Sequence, residues 1–288
     1  MSEAYFQGGS QPLTFRSSPT NWHPTLFWIG ILSLIAAFPV ALALILDSRV
    51  VGIEPALVKP LKFLLATAFY ACTLSAAFSV LPSKLRDAWY TRTSLAAAAF
   101  FLVAENLIIA VQAARGVTSH FNDTTLVDHF FSGVMAVGAY VIVTAPFLLG
   151  IAMFVVAKPT SWRTAMPDPL YLGVAFGLAL AGLLGAMTGS ALGRNEGAFV
   201  LPAGMSMAQL STMPVVPLTN WQLAVGDLRI AHFFGLHAMQ AIPLAALLAR
   251  SMLADEATAS RYVIVVSFAW FGLTMGLMAW AQAGYGYI

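Results

Sequence analysis

Long apolar runs constrain this chain more than any other feature of its sequence. The stretch Phe130–Ala157 contains no charged residue, and Leu13–Leu46 contains, apart from His23, only one ionisable side chain, Arg16. A soluble domain is usually about a quarter charged, whereas this chain of 288 residues is 9% charged and 59% hydrophobic. So few charges would not coat a globule of this size in water. The composition therefore predicts a polytopic membrane protein and argues against a soluble enzyme, a disordered chain and a nucleic-acid binder.

Seven segments are long enough to cross a bilayer as helices. A membrane helix needs about 20 mostly apolar residues, and the predicted spans cover residues 26–46, 61–81, 93–114, 130–157, 170–192, 228–249 and 262–283. Transmembrane β-barrels show short alternating segments, whereas these runs are continuous and rich in Ala and Leu. The sequence thus predicts an all-α, polytopic transmembrane helix bundle with about seven spans.

The predicted domain organisation is simple. Residues 1–22 are expected to form a flexible N-terminal tail, and residues 23–288 a single transmembrane helical domain. Between the fifth and sixth spans, residues 197–226 carry no charge, but they contain Pro202, Pro214 and Pro217, which break helices. This composition predicts an external cap or a re-entrant loop, with a hydrophobic surface loop at the membrane interface as the alternative.

The distribution of Lys and Arg predicts the orientation. The side of the membrane that holds the N-terminus carries eight of these residues in its loops, and the opposite side carries six. Because cytoplasmic loops are enriched in Lys and Arg, we expect a cytoplasmic N-terminus and an external C-terminus. Four of the five histidines, His120, His129, His232 and His237, then fall on the external side or in the outer half of a span.

The third span places polar groups inside the membrane. Glu105 lies near its middle, and Gln112, seven residues later, shares its helix face. A carboxylate at this depth is costly and normally faces the protein interior with a partner. The position of Glu105 therefore indicates one of two roles. Its carboxyl group either makes a structural hydrogen bond, or carries a proton, acts as a base or binds a metal. Beyond the span come Arg115, His120 and Asn122, of which the last two would bind a ligand or metal or cap a turn.

The sixth span carries a second polar set. Arg229 and Gln240 lie close to one line along the helix, and His232 and His237 flank that line about 140° apart. These two histidines are poorly placed to coordinate one ion together. We therefore expect either that each contacts a different partner or that only one of them is a ligand. By helical rise, Glu105 matches the depth of His237 and Gln240. Adjacent third and sixth spans would therefore form one polar column that opens outward.

Two further groups lie at predicted span ends. Asp128 is well placed as the N-cap of the fourth span, and His129 follows it at the interface. Lys59 and Lys62 flank the start of the second span. Their side chains would either snorkel to the interface or contact an anion at the external mouth.

The first functional hypothesis is a haem- or metal-dependent membrane enzyme that acts on a small or lipidic substrate. Three histidines and an acid from separate helices would suit a divalent metal such as zinc, and two histidines facing across a bundle would suit haem b. The metal ligands would be His120, His129, His232 and His237, and the catalytic groups would be Glu105 and His237. The cofactor-binding groups would be Arg115, Arg229, Gln112, Gln240, Lys59 and Asn122.

Two other hypotheses use the same polar groups. One is a small-molecule or proton-coupled transporter, or a receptor-like binding protein, with the column as the path of the ligand or proton. The other is a structural subunit of a larger membrane complex, in which the column specifies the fold. The lipid bilayer is a partner in every case, a small or lipidic ligand and an oligomer or larger complex are compatible with the sequence, and nucleic acid is not expected.

Three segments carry a resemblance to a known group. The run Lys59-Pro60-Leu61-Lys62-Phe63, residues 112–122 and residues 227–243 are similar to segments of an uncharacterised group of bacterial multi-pass membrane proteins. The resemblance implies a seven-helix membrane fold and a location in the bacterial inner membrane. It implies no catalytic role for any residue.

Overall fold

The computed structural model describes residues 22–157, 166–195, 197–217 and 219–287. Within those ranges, seven helices are long and apolar enough to cross a membrane, so the predicted seven-span helix bundle is confirmed. These helices are α1 (Pro24–Leu46), α2 (Val58–Phe78), α4 (Trp89–Arg115), α5 (Leu126–Ala157), α6 (Pro169–Arg194), α8 (Leu228–Met252) and α9 (Glu256–Gln282).

Short elements connect the long helices. Helices α3 (Ser83–Arg86) and α7 (Met207–Leu210) are single turns. Strand β1 (Val50–Val51) pairs antiparallel with β2 (Glu54–Pro55), and β3 (Phe199–Val200) pairs antiparallel with β4 (Gly226–Asp227).

Local residue choices fix several helix ends. Asp168 accepts the amide of Leu170 at 2.8 Å before α6, and Asp227 accepts the amide of Arg229 at 3.0 Å before α8. A carboxylate at this position satisfies amides that have no partner within the helix. Gly116 ends α4 in the left-handed conformation, with φ of 72°, which a glycine adopts without a steric penalty.

Helix α6 is the centre of the bundle. Of the 18 residues in its most apolar stretch 67% are buried, whereas 17% are buried in the corresponding stretches of α1 and α9. Glycines allow its neighbours to approach closely: a Cβ at Gly150 of α5 would lie 2.7 Å from the carbonyl oxygen of Ala175, and one at Gly173 would lie 2.6 Å from Cβ of Ala246 in α8. Small residues at helix contacts are typical of membrane bundles.

The outer helices present large apolar side chains to the surroundings. On α1 these include Ile35, Phe38 and Ile45, and on α9 they include Val265 and Phe268, all of which are exposed. Such faces suit the hydrocarbon region of a bilayer, since the backbone groups of each helix are satisfied internally. The chain is an integral membrane protein with the lipid bilayer as its environment.

Four connecting segments lie together at one end of the bundle, which we call the cap end: residues 47–57, 116–125, 197–217 with 219–227, and 283–287. The cap segment (residues 197–217 and 219–226) is closed by the pairing of β3 with β4 and by a bridge between Val215 and Gln222. It is anchored to the end of the chain, because the amide of Tyr287 donates to the carbonyl of Leu223 at 2.6 Å. The cap segment is therefore held together by its own pairings and attached to the end of the chain.

The third and sixth spans are not neighbours as the polar-column hypothesis required. Among the described residues α4 and α8 do not pack extensively on each other, and each is joined to α2 by a side-chain hydrogen bond. Asn106 of α4 donates to Thr67 of α2 at 2.7 Å, while Gln240 of α8 donates to Thr73 of α2 at 3.1 Å. Residue spacing fixes which side chains share a face of one helix, but it carries no information on which helices are adjacent.

Candidate functional site

Four charged residues from separate elements meet at the cap end, and we call them the charged cluster: Glu54, Lys62, Asp227 and Arg229. Glu54 accepts from Arg229 Nη1 at 2.6 Å and from Lys62 Nζ at 3.0 Å. Arg229 Nη2 lies 2.7 Å from Asp227 Oδ2, which also accepts the amide of Gln222. Glu54 thereby joins α2 to α8, and Asp227 joins α8 to the cap segment.

The hairpin between α1 and α2 positions Glu54. Val51 pairs with Glu54 across a tight turn in which Gly52 has a φ of 64°. That left-handed conformation favours glycine, and it turns β2 back toward the start of α2. No helical spacing relates residue 54 to residue 229, so the periodicity that marks the polar groups of the spans does not identify Glu54.

A second polar group surrounds Asp128, which is 1% exposed. Its carboxylate accepts from Arg115 at 2.6 Å and from Gln112 at 2.8 Å, and on its other oxygen from Thr125 at 2.6 Å. The prediction that Asp128 is the N-cap of this span is wrong. The helix begins at Leu126, so the Thr125 hydroxyl caps it by accepting the amide of Asp128 at 3.1 Å.

Lys59 and His120 form a direct pair. Lys59 Nζ lies 2.9 Å from His120 Nδ1, and the Phe63 ring lies 5.8 Å from the imidazole. Burial, together with the nearby charge of Lys59, holds the pKa of His120 down to about 3. The imidazole is therefore neutral at physiological pH, so Nδ1 accepts from the ammonium group and the ring proton resides on Nε2.

Glu105 is buried in the interior of the bundle. It is 6% exposed, and within the described ranges its Oε1 atom has no hydrogen-bond partner. The carboxyl group faces α5 at Gly138, where a Cβ atom would lie 2.8 Å from Oε1. In the described ranges no ion pair within 4.0 Å involves Glu105, so no direct contact links its carboxyl group to the pair of Lys59 and His120.

The four histidines proposed as metal ligands meet four different partners. His120 contacts Lys59, and exposed His129 lies 3.0 Å from Asp123. His232 Nδ1 lies 2.9 Å from the Thr188 hydroxyl, whereas the His237 ring packs on Phe233 with centroids 4.0 Å apart. In the parts of the chain that the structure describes, no group of three or more His, Cys, Asp or Glu residues could hold a metal ion. The predicted four-histidine set is therefore not brought together.

The remaining predicted site residues lie at or near the cap end, with the exception of Gln240. Gln112 and Arg115 belong to the group around Asp128, and Asn122 folds its own turn by donating to the carbonyl of Thr118 at 3.0 Å. Arg229 belongs to the charged cluster, while Gln240 contacts α2 deeper in the bundle. Their roles in catalysis or cofactor binding remain predictions.

No family model, curated protein or solved structure that was compared matches this chain. A functional assignment therefore depends on the geometry of the polar groups themselves.

Proposed function

We propose that this integral membrane protein is a proton-coupled carrier of a small molecule, with Glu105 as the group that binds the proton. The supporting observation is the buried carboxyl of Glu105, whose Oε1 atom has no hydrogen-bond partner among the described residues. An ionisable side chain at mid-membrane is expensive and marks an ion or proton path more often than a structural site. The path would lead from Glu105 past Lys59 and His120 to the cap end.

The arrangement of the four histidines favours this carrier over an enzyme that depends on a divalent metal. A zinc site needs three or four nitrogen, sulfur or oxygen ligands around one point, whereas His120, His129, His232 and His237 each contact a different residue. The described residues thus do not provide a set of ligands around one metal ion. No specific observation supports the hypothesis of a structural subunit. The bacterial inner membrane, with the cap end facing outward, is the location that the charge bias and the resemblance favour.

The charged cluster and the polar group around Asp128 would hold the helices that line this path in position. In the charged cluster, each carboxylate already has a cationic partner, as has Asp128 beside Arg115. Paired and hydrogen-bonded charges of this kind fix the relative positions of helices. Glu105 and Lys59 differ from them, because neither has an ion-pair partner within 4.0 Å in the described ranges.

Proteoliposomes with a pH-sensitive dye in the lumen test the proposal. Gradients of short carboxylates, amino acids, sugars and inorganic phosphate would be imposed one at a time. We expect at least one solute to drive a change of lumenal pH with the wild type, and Glu105→Gln to abolish that change. The control is Glu256→Gln, which removes an exposed acidic group in the first turn of α9. No solute-driven pH change with the wild type, or full activity of Glu105→Gln, would overturn the proposal.

A further inference from the structure

A short basic segment lies between α2 and α4, at the end of the bundle opposite the cap end. Within residues 83–92 three side chains are cationic, Lys84, Arg86 and Arg92, and one is acidic, Asp87. The exposed Asp87 carboxylate lies 3.3 Å from Arg92 Nη2, whereas no ion pair within 4.0 Å in the described ranges involves Lys84 or Arg86. The segment therefore presents two positive charges that the described protein groups do not neutralise.

Several cations at the cap end are arranged differently. Four of them each lie within 4.0 Å of a carboxylate, namely Arg49, Lys62, Arg115 and Arg229. An ion pair inside the protein reduces the attraction of a cation for an outside anion, because the partner charge cancels most of its field. Lys84 and Arg86 keep that attraction.

The fold holds this segment against the bundle. The amide of Leu85 donates to the carbonyl of Pro82 at 2.9 Å, and the amide of Asp87 donates to the carbonyl of Ser83 at 2.9 Å, which closes the single turn α3. Leu85 is 1% exposed and belongs to the largest buried apolar cluster of the bundle, whereas the neighbouring Lys84 is exposed. The cations are thus carried by an anchored turn.

The start of α4 places two aromatic rings beside these charges. Trp89 is 76% exposed and Tyr90 is 45% exposed, and their ring centroids lie 6.1 Å apart. With 27 residues, α4 is about 40 Å long, whereas the hydrocarbon core of a bilayer is about 30 Å thick. Its first turn therefore extends into the headgroup layer, where Trp and Tyr side chains are enriched in membrane proteins.

We infer that residues 83–92 form a binding surface for the headgroups of anionic phospholipids. The lipid phosphate contacts Lys84 and Arg86, whose side chains suit phosphate oxygens, and the Trp89 ring packs beside the top of the acyl chains. A zwitterionic lipid binds less well, because its headgroup brings a cation of its own. The Lys and Arg distribution predicts that this end faces the cytoplasm, where the leaflet carries anionic lipids. The inference does not depend on the carrier function.

Quenching of Trp89 fluorescence by labelled lipids tests the inference in proteoliposomes at low salt. Phosphatidylglycerol or phosphatidylcholine with a nitroxide near the top of an acyl chain would be added at the same fraction of total lipid. The signal of the wild type minus that of Trp89→Phe isolates Trp89 from the other tryptophans. Each cation near an anionic surface contributes roughly a fivefold gain, so we expect phosphatidylglycerol to be favoured by about tenfold or more.

Variants identify the charges responsible, each compared with its own Trp89→Phe counterpart. Lys84→Gln combined with Arg86→Gln should reduce the preference to about twofold or less. The control is Arg49→Gln at the cap end, whose side chain is 51% exposed, and it should keep the preference of the wild type. If the double variant does not fold, Asp87→Asn tests the same surface in the opposite direction. It frees Arg92, so the preference should rise by about twofold or more.

Salt provides the last comparison. At about 1 M salt the charges are screened within about 3 Å, so the preference of the wild type should fall to about twofold or less. Equal quenching by the two lipids at low salt would mean that Trp89 has only ordinary contact with the bilayer, and it would overturn the inference. A preference that the double variant retains, or that high salt leaves unchanged, would overturn it as well.

Discussion

The Tyr70 hydroxyl of α2 donates a hydrogen bond of 2.6 Å to the backbone carbonyl oxygen of Ile142 in α5. In a regular helix that oxygen accepts the amide of the residue four positions later, which here is Pro146, and proline has no amide hydrogen. Tyr70 thus satisfies the carbonyl that a proline inside a membrane helix leaves free. The contact also joins the helix of Lys59 to the helix that faces Glu105.

Tyr70→Phe should therefore lower stability without changing the size of the side chain. The buried carbonyl loses its partner, and we expect the free energy of unfolding to fall by about 0.5–1.5 kcal/mol. Denaturant titration in detergent micelles would measure the loss. Tyr90→Phe is the matched control, because Tyr90 is 45% exposed on α4, and it should change stability by less than about 0.5 kcal/mol.

Gly150→Ala should disrupt the contact between α5 and α6. The added methyl group would lie 2.7 Å from the carbonyl oxygen of Ala175, so the helices must separate at a cost of about 1–3 kcal/mol. Gly133→Ala is the control in the same helix, since a Cβ at Gly133 meets no atom within 4 Å. Thermal unfolding in detergent should distinguish the two variants. Equal stabilities would mean that α5 and α6 are not in close contact.

The charged cluster should show strong coupling between Glu54 and Arg229. These side chains are only 21–22% exposed, and removing one partner leaves a partly buried charge unmatched. In a double-mutant cycle of Glu54→Gln and Arg229→Gln, we expect a coupling free energy of about 1–3 kcal/mol. The exposed pair of Asp87 and Arg92 is the comparison, and its coupling should stay below about 0.5 kcal/mol.

Stability should fall in mild acid because of His120. Burial keeps its pKa near 3 in the folded protein, whereas an unfolded histidine titrates near 6.5. The unfolded chain then binds the extra proton first, so the contribution of His120 is complete above about pH 6.5 and is lost as the pH decreases toward 3. Between pH 7 and pH 5 the loss should reach up to about 2 kcal/mol.

His120→Gln should flatten this pH dependence, because glutamine can still accept from Lys59 but does not titrate. Unfolding curves at pH 7 and pH 5 would show the difference between the variant and the wild type. His129→Gln provides the control, since His129 is exposed beside Asp123. A pH dependence that His120→Gln leaves unchanged would contradict a buried, neutral imidazole.

The orientation is open to a direct test in a bacterial host. The excess of Lys and Arg on the N-terminal side predicts that α9 ends outside the cytoplasm. Alkaline phosphatase fused after residue 288 should then be active, whereas green fluorescent protein fused there should stay dark. The reverse pattern would place the cap end in the cytoplasm.

The apolar runs were sufficient to predict seven helices, because crossing a bilayer demands length and hydrophobicity, and both are readable along the chain. They were less informative about helix ends. The fourth span begins at Leu126, four residues before the predicted start, because the Thr125 hydroxyl caps the helix by accepting the amide of Asp128. Capping depends on one hydrogen bond, which hydropathy does not register.

The partners of the polar residues were the least predictable part. Helical spacing placed His232 and His237 on different faces, and they contact different residues. Spacing could not reveal that Glu54 binds Arg229, since the two lie 175 positions apart and meet only through the folded hairpin. A signal was present nonetheless, because an acidic residue shortly before Lys59 and Lys62 can pair with cations at the same end.

The anchoring of the cap segment has a consequence for the order of synthesis. Gly226 lies against the backbone of Ala281 at the end of α9, and Leu223 accepts the amide of Tyr287. The ribosome makes the cap segment well before these partners, so these two contacts form only after the seventh span has been made. A nascent chain halted before α9 would therefore present an unsupported apolar cap, a state that membrane chaperones and quality-control proteases can recognise.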